Sequence, residues 1–200
     1  ARAKEVAGAG EDPLGSGYLW ILSALQRLRS LGDPRRKIAI VRLSGPIVDH
    51  ESPREHISAE RLVPLLDRLS MADGYAGVIL SIDSPGGSAI ASARISRAVE
   101  RLGRQKPVVS LFGNVAASGG YYLASRSQAL IAHPGTVTGS IGVVGGKLSC
   151  GDALNKAGIH GELVSTGPDA DFLSAWSPFN PSQRSRFRGY LQRTYDRFLQ

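Results

Sequence analysis

Ser118 stands in the run Gly113-Asn114-Val115-Ala116-Ala117-Ser118-Gly119-Gly120-Tyr121-Tyr122. Small residues there separate a short β-branched and apolar stretch, Pro107 to Phe112, from a helical pattern that resumes at Tyr121. A serine at a strand-to-helix turn lies where backbone N–H groups lack intrahelical partners and the helix dipole is positive. Negative charge developing beside it is therefore favoured. Glycines on its far side let a substrate backbone approach closely. Ser118 is thus a candidate nucleophile, although the same residues also fit a tight packing turn whose serine is only an N-cap.

A second stretch has similar grammar. The apolar run from Gly77 to Ile82 ends in Asp83-Ser84-Pro85-Gly86-Gly87, and from Ser88 onward Ile90, Ala93, Ile95, Val99 and Leu102 recur at helical spacing. Strand, glycine turn, helix and a further strand at 107 make a βαβ unit, whose crossover is expected to be right-handed. Gly86 and Gly87 could turn main-chain N–H groups towards a ligand. The turn is too short for a phosphate loop and lacks its Gly-Lys-Ser/Thr ending, and a plain turn would use the same residues. A third stretch, Thr136 to Gly146, mixes β-branched residues with glycines and predicts a strand with a bulge or a close backbone contact.

These stretches sit in a chain of 200 residues with 42% hydrophobic content, enough for one domain with a substantial core. No run approaches the roughly 18–20 apolar residues that span a bilayer. Net charge is +7, but the basic residues are dispersed and accompany no nucleic-acid motif, so solvated helix faces explain them and no nucleic-acid partner is expected. Cys150 is the only cysteine, which excludes an intrachain disulfide. Residues 1–36 read as a linker followed by an amphipathic connecting helix from Tyr18 to Arg29, and 37–200 as the domain proper. Within it the pattern predicts strands at Lys37 to Leu43, Ala129 to Ala132 and Glu162 to Ser165. Helices are expected at Ser58 to Met71, Cys150 to Ala157, and from an N-cap at Ser182 to Leu199. The chain has no initiator Met and stops within a helical pattern, so a piece of something longer, truncated at its C-terminal end, is expected.

In order, Asp83-Ser84-Pro85-Gly86-Gly87, Ala116-Ala117-Ser118-Gly119-Gly120-Tyr121-Tyr122 and Thr138-Gly139-Ser140-Ile141-Gly142 resemble the motifs of the signal peptide peptidase A family, also called protease IV. The similarity runs from about Lys37 to Gln200. It implies an α/β, Clp protease/crotonase-like βαβ spiral fold and a serine peptidase with a lysine general base. By position, Ser118 would be the nucleophile, Gly86, Gly87 and Gly119 the oxyanion hole, and Ser140 the serine that hydrogen-bonds the lysine. No cofactor or metal is implied, and the histidines have no metal-ligand spacing.

Serine must lose its proton to a base as it attacks, and lysine serves only when neutral, which requires a pKa brought down from about 10.4. Here the chain departs from single-domain members, which carry their lysine where this sequence reads Ser165-Thr166-Gly167-Pro168-Asp169-Ala170-Asp171. Its lysines are Lys4, Lys37, Lys106, Lys147 and Lys156; Lys147, after Gly145-Gly146, is the remaining internal candidate. Histidine offers no substitute, because the position equivalent to the Clp histidine falls near Gly142-Val143. Residues 161–171 resemble the C-terminal half of long, two-domain members, in which the N-terminal half supplies the lysine. That resemblance implies hydrophobic peptide substrates such as signal-peptide remnants, a homo-oligomeric ring, and a membrane-anchored protein on an extracytoplasmic face, with this piece itself soluble. The alternatives are a protease-like scaffold without activity, used for assembly or binding, and crotonase-like acyl-thioester chemistry.

Overall fold

The computed structural model describes residues 37–50, 56–167 and 169–200. The expected connecting helix at 18–29, and the rest of the stretch 1–36, lie outside them. Strand β4 (Tyr75–Ser84) alternates Val78, Leu80 and Ile82 towards one face, and all three are buried. On one side it pairs in parallel with β1 (Lys37–Ser44), and on the other with β5 (Val108–Ala117), so Ala39, Val78 and Val108 line up across the sheet, as do Leu43, Ile82 and Phe112. Helix α1 (Ala59–Met71) contributes Leu62, Leu66 and Leu69 to this layer, and α2 (Ala89–Gln105) contributes Ile95, Val99 and Leu102. The helix-covered face of the sheet is therefore the core. On its other face Ile40 is 62% exposed, and Ile38 and Leu111 are also exposed.

Short elements complete the sheet. β2 (Ile47–Val48) and β3 (Ile57–Ser58) form a separate parallel pair, and α3 (Gly119–Ala124) follows β5 after one residue. β6 (Ala129–Ile131) pairs with the first half of β5, and β7 (Val137–Gly139) with its second half. Between those halves the β4–β5 register shifts, and the Asp83 carboxylate accepts the Val115 N–H at 3.1 Å. A side-chain oxygen thus replaces a ladder carbonyl and keeps β5 extended as far as Ala117. α4 (Gly151–Lys156) and α5 (Pro181–Leu199) close the chain.

The helix starts follow cap chemistry: Ser58 accepts from the Arg61 N–H and Ser88 from the Ala91 N–H. Pro64 is accommodated inside α1, on its exposed side. Three expectations are corrected. The last helix begins at Pro181 and is capped by Asn180, not Ser182, in a reciprocal capping box with Gln183. The strand expected across 136–146 is confined to Val137–Gly139, because β5 turns away after Ala117, the partner of Gly139, and leaves no backbone to pair with. Glu162 to Ser165 forms no strand and pairs with none of the described strands. Among those residues no helix is long and apolar enough to cross a membrane.

Leu80 lies fully buried at the centre of the sheet, so Leu80→Ala is expected to lower unfolding free energy by about 2–5 kcal/mol. Met71→Ala, at an exposed helix end, should stay within about 0.5 kcal/mol. Urea denaturation of the two variants measures the difference.

Candidate active site

Ser118 is the single residue between β5 and α3, and the change from strand to helix falls entirely on it. Its φ is 49° and ψ −116°, a left-handed conformation that costs a non-glycine residue about 1–3 kcal/mol. Two backbone bonds hold it there: its N–H donates to the Gly139 carbonyl at 2.8 Å, and its own carbonyl accepts the Tyr122 N–H at 2.8 Å. Its side chain makes no N-cap bond to α3, so the capping reading of this serine does not describe it. Ser118 is half-buried and lines a cleft of about 360 Å³.

The glycine turn is packed directly against this residue. A Cβ on Gly86 would lie 2.7 Å from the Gly119 nitrogen and 2.9 Å from the Ser118 Cβ, and Gly86 has φ +101°. Only glycine permits both the approach and the conformation. The N–H groups of the pair have separate fates. That of Gly86 donates to Ser84 Oγ at 3.2 Å, in a local serine turn. Gly87 forms a parallel bridge to Ile47, whose N–H donates to the Gly86 carbonyl and whose carbonyl accepts the Ser88 N–H, both at 2.8 Å. That pattern uses the neighbours of Gly87 and directs its own N–H away from Ile47. Gly87 and Gly119 both line the cleft beside Ser118, and Gly119 opens a helix, where its N–H has no intrahelical acceptor.

Ser140 follows β7 immediately and is the only other described non-glycine residue at positive φ, 50°. Because Ala117 pairs with Gly139, the register sets the Ser140 backbone beside that of Ser118. Its side chain is exposed. The structure thus brings Ser118, Gly86, Gly87 and Gly119 into contact or onto one cleft, with Ser140 alongside.

No described lysine joins them. Lys37 opens β1 and Lys106 precedes β5, at the end of the parallel sheet opposite Ser118; ten strand residues at about 3.3 Å each separate the two ends. Lys106 donates to the Leu69 carbonyl at 2.9 Å and to that of Ala72, holding the end of α1. Lys147 donates to the Phe172 carbonyl at 3.0 Å and lies 4.5 Å from the centre of the Phe179 ring. Lys156 is exposed on α4, and Lys4 lies outside the described residues. The histidines are engaged elsewhere: His50 lies 3.7 Å from Glu60, His133 accepts from the Gly135 N–H in its own turn, and His160 meets Asn155. Among the described residues no group of three His, Cys, Asp or Glu could hold a metal.

The model of peptidase family S49 matches residues 100–200, a span that includes Ser118 and Ser140. The chain belongs to peptidase family S49. Protease 4 of Haemophilus influenzae is 36% identical over 82% of this chain, and the chloroplastic serine protease SPPA of Arabidopsis thaliana is also 36% identical over 82%. A solved mutant of a membrane-bound stomatin-specific protease aligns with a TM-score of 0.44 and 18% identity, over 82% of this chain and 65% of that one. The S49 assignment and the parallel sheet make this an α/β domain of the Clp protease/crotonase-like class, and a serine-peptidase domain by family. It spans about a quarter of the length of those two curated relatives, 27% and 25%.

Sequence reasoning missed two parts of the site. One is Ser84, whose hydroxyl engages the Gly86 N–H; a serine two residues before a glycine was the available signal. The other is a set of α5 residues, Phe187, Tyr190, Leu191 and Phe198, that line the same cleft. The glycine packing has a direct consequence. Gly86→Ala and Gly87→Ala each place a Cβ against backbone at positive φ, the latter 2.2 Å from the Ile47 carbonyl oxygen. Each should destabilise the fold by at least about 1–2 kcal/mol. Gly142→Ala, into open space, should be close to neutral, and thermal unfolding of the three variants tests the order.

Proposed function

We propose that this domain is the nucleophile-bearing part of a Ser-Lys endopeptidase that degrades hydrophobic peptides, cleaved signal peptides among them. The single observation behind this reading is the left-handed Ser118 at the β5–α3 turn, facing a cleft that the N–H-bearing Gly87 and Gly119 also line. Ser118 Oγ attacks the scissile carbonyl carbon, and its proton passes to a neutral lysine amine. The Gly87 and Gly119 N–H groups stabilise the oxyanion, each donor worth about 3–4 kcal/mol in comparable sites. The C–N bond breaks as the proton moves on to the leaving amine, and water then hydrolyses the acyl-serine ester. Gly86 gives the close packing that sets this geometry, and Ser140 hydrogen-bonds the incoming lysine.

The lysine comes from another domain or subunit, the N-terminal half of a longer, membrane-anchored protein that works on an extracytoplasmic face as a ring of copies. Supporting this, the described lysines lie at the far end of the sheet, are bonded elsewhere or stand exposed on α4. The chain after β7 also carries a row of apolar side chains in the open: Val144 is 99% exposed, Leu148 90% and Val164 90%. Patches of this kind mark surfaces that another polypeptide covers.

Labelling with a fluorophosphonate tests the reading. A longer protein containing both halves should label at Ser118, and Ser118→Ala should abolish labelling and peptidase activity together. The isolated 200-residue chain, lacking its base, should react at least about 100-fold more slowly. Absence of Ser118-dependent labelling in the longer protein would favour the inactive-scaffold reading. Robust peptidase activity of the isolated chain would overturn the borrowed lysine.

A further inference from the structure

We infer that Asp49 is a positioning residue of this site: by holding the Ser88 hydroxyl it fixes the turn that aims the Gly87 N–H at the oxyanion. The inference rests on the roles proposed for Ser118 and Gly87. A glycine has no side chain to anchor its own orientation, so the direction of the Gly87 N–H is decided by what holds its neighbours. Gly87 itself is exposed on the cleft. Three bonds to those neighbours come from one short segment, β2 with the residues beside it. The Ile47 N–H donates to the Gly86 carbonyl and the Ile47 carbonyl accepts the Ser88 N–H, both at 2.8 Å. Ser88 Oγ then donates to Asp49 Oδ2 at 2.7 Å. Ile47 is buried in the core, so this segment is a fixed support for the glycine turn.

A serine hydroxyl has one proton to give. That of Ser88 goes to Asp49, while its oxygen accepts the Ala91 N–H at 3.2 Å and so caps α2. One hydroxyl therefore ties β2 to the start of α2. The Ser88 carbonyl in turn accepts the Ser92 N–H at 3.0 Å and Ser92 Oγ at 2.8 Å. Ser92 is fully buried, and a Cβ on Gly119 would collide with its hydroxyl. The chain Asp49–Ser88–Ser92 thus meets the backbone beside Gly87 at one end and Gly119 at the other, and sets the spacing of the two donors. Asp49 is half-buried and, among the described residues, forms no ion pair, so its carboxylate serves Ser88. A hydrogen bond with an ionised partner holds more tightly than a neutral one. Without it the Ser88 hydroxyl loses its acceptor, and β2 keeps only its backbone grip on the turn. The oxyanion forms only along the reaction, so a displaced Gly87 N–H costs turnover and not ground-state binding.

Peptide hydrolysis by the longer protein containing both halves tests the assignment. Asp49→Ala should lower kcat by about tenfold or more, short of the loss from deleting a donor outright, and leave KM within about threefold of the parent. The inhibition constant of a peptide aldehyde, whose adduct with Ser118 puts an oxygen where the oxyanion forms, should rise by the same factor. Asp49→Asn, whose amide oxygen still accepts from Ser88, should keep at least about a third of the parent kcat. Ser88→Ala removes the same bond from its other end and should match Asp49→Ala in kcat, with the double variant no slower than either. Asp67→Ala, which breaks an exposed ion pair with Arg101, should leave kcat unchanged. An unchanged kcat in Asp49→Ala, a loss confined to KM, or an Asn variant as slow as the Ala one would overturn the Asp49 assignment alone. If circular dichroism shows Asp49→Ala unfolded, Ser88→Ala carries the comparison, and an unchanged kcat there overturns the assignment equally. Failure of the parent to label with a fluorophosphonate at Ser118 would overturn the nucleophile itself.

Discussion

One hydrogen bond governs the geometry of this domain's chemical end. The Ser118 N–H donates to the carbonyl of Gly139, the last residue of β7, just where β5 stops pairing and α3 begins. A strand that must become a helix within one residue has no room to relax through ordinary backbone conformations, and the left-handed Ser118 is the result. Everything near it follows from keeping that residue in place. Gly86 and Gly119 lie closer than any side chain would permit, Asp83 props the second half of β5, and Ser140 is left at positive φ beside Ser118. The strain is held by the sheet, whose central strand β4 buries Val78, Leu80 and Ile82 behind it.

The fold was legible where a local pattern and a tertiary environment agreed. The apolar run that forms most of β4, the helical pattern from Ser58 to Met71 and the helix start at Ser88 state their positions in the sequence itself. The pattern failed where a segment's state depends on a neighbour elsewhere in the chain. Thr136 to Gly146 has strand composition throughout, yet only three residues have a ladder to join. Glu162 to Ser165 has the composition without the partner. Ile90 is in phase with the buried residues of α2 but faces the cleft, 58% exposed.

The site was legible in its motifs and less so in the division of labour within them. Ser-Pro-Gly-Gly announces a tight turn, but composition does not say that Ser84 engages one glycine N–H and that a bridge to Ile47 turns the next one outward. The α5 residues that line the cleft lie about seventy residues beyond Ser118, and the aromatic ones among them read equally well as a core face. Tertiary packing, which no short motif encodes, aims them at the cleft.

The light anchoring of α5 also bears on how such a cleft can work over time. Only Gln183 and Phe198 of its nineteen residues are buried. They are helped by the bonds from Gln183 to Asp171 and from Tyr122 to Arg197, and by the Arg186–Asp169 ion pair. Such an element opens locally at far lower free energy than the sheet behind it. The two sides of the cleft therefore differ in stiffness: the Ser118 end is fixed by backbone packing, while the α5 end yields. A site built this way holds the backbone geometry around Ser118 constant while tolerating variation in the bulk of whatever enters at the α5 end.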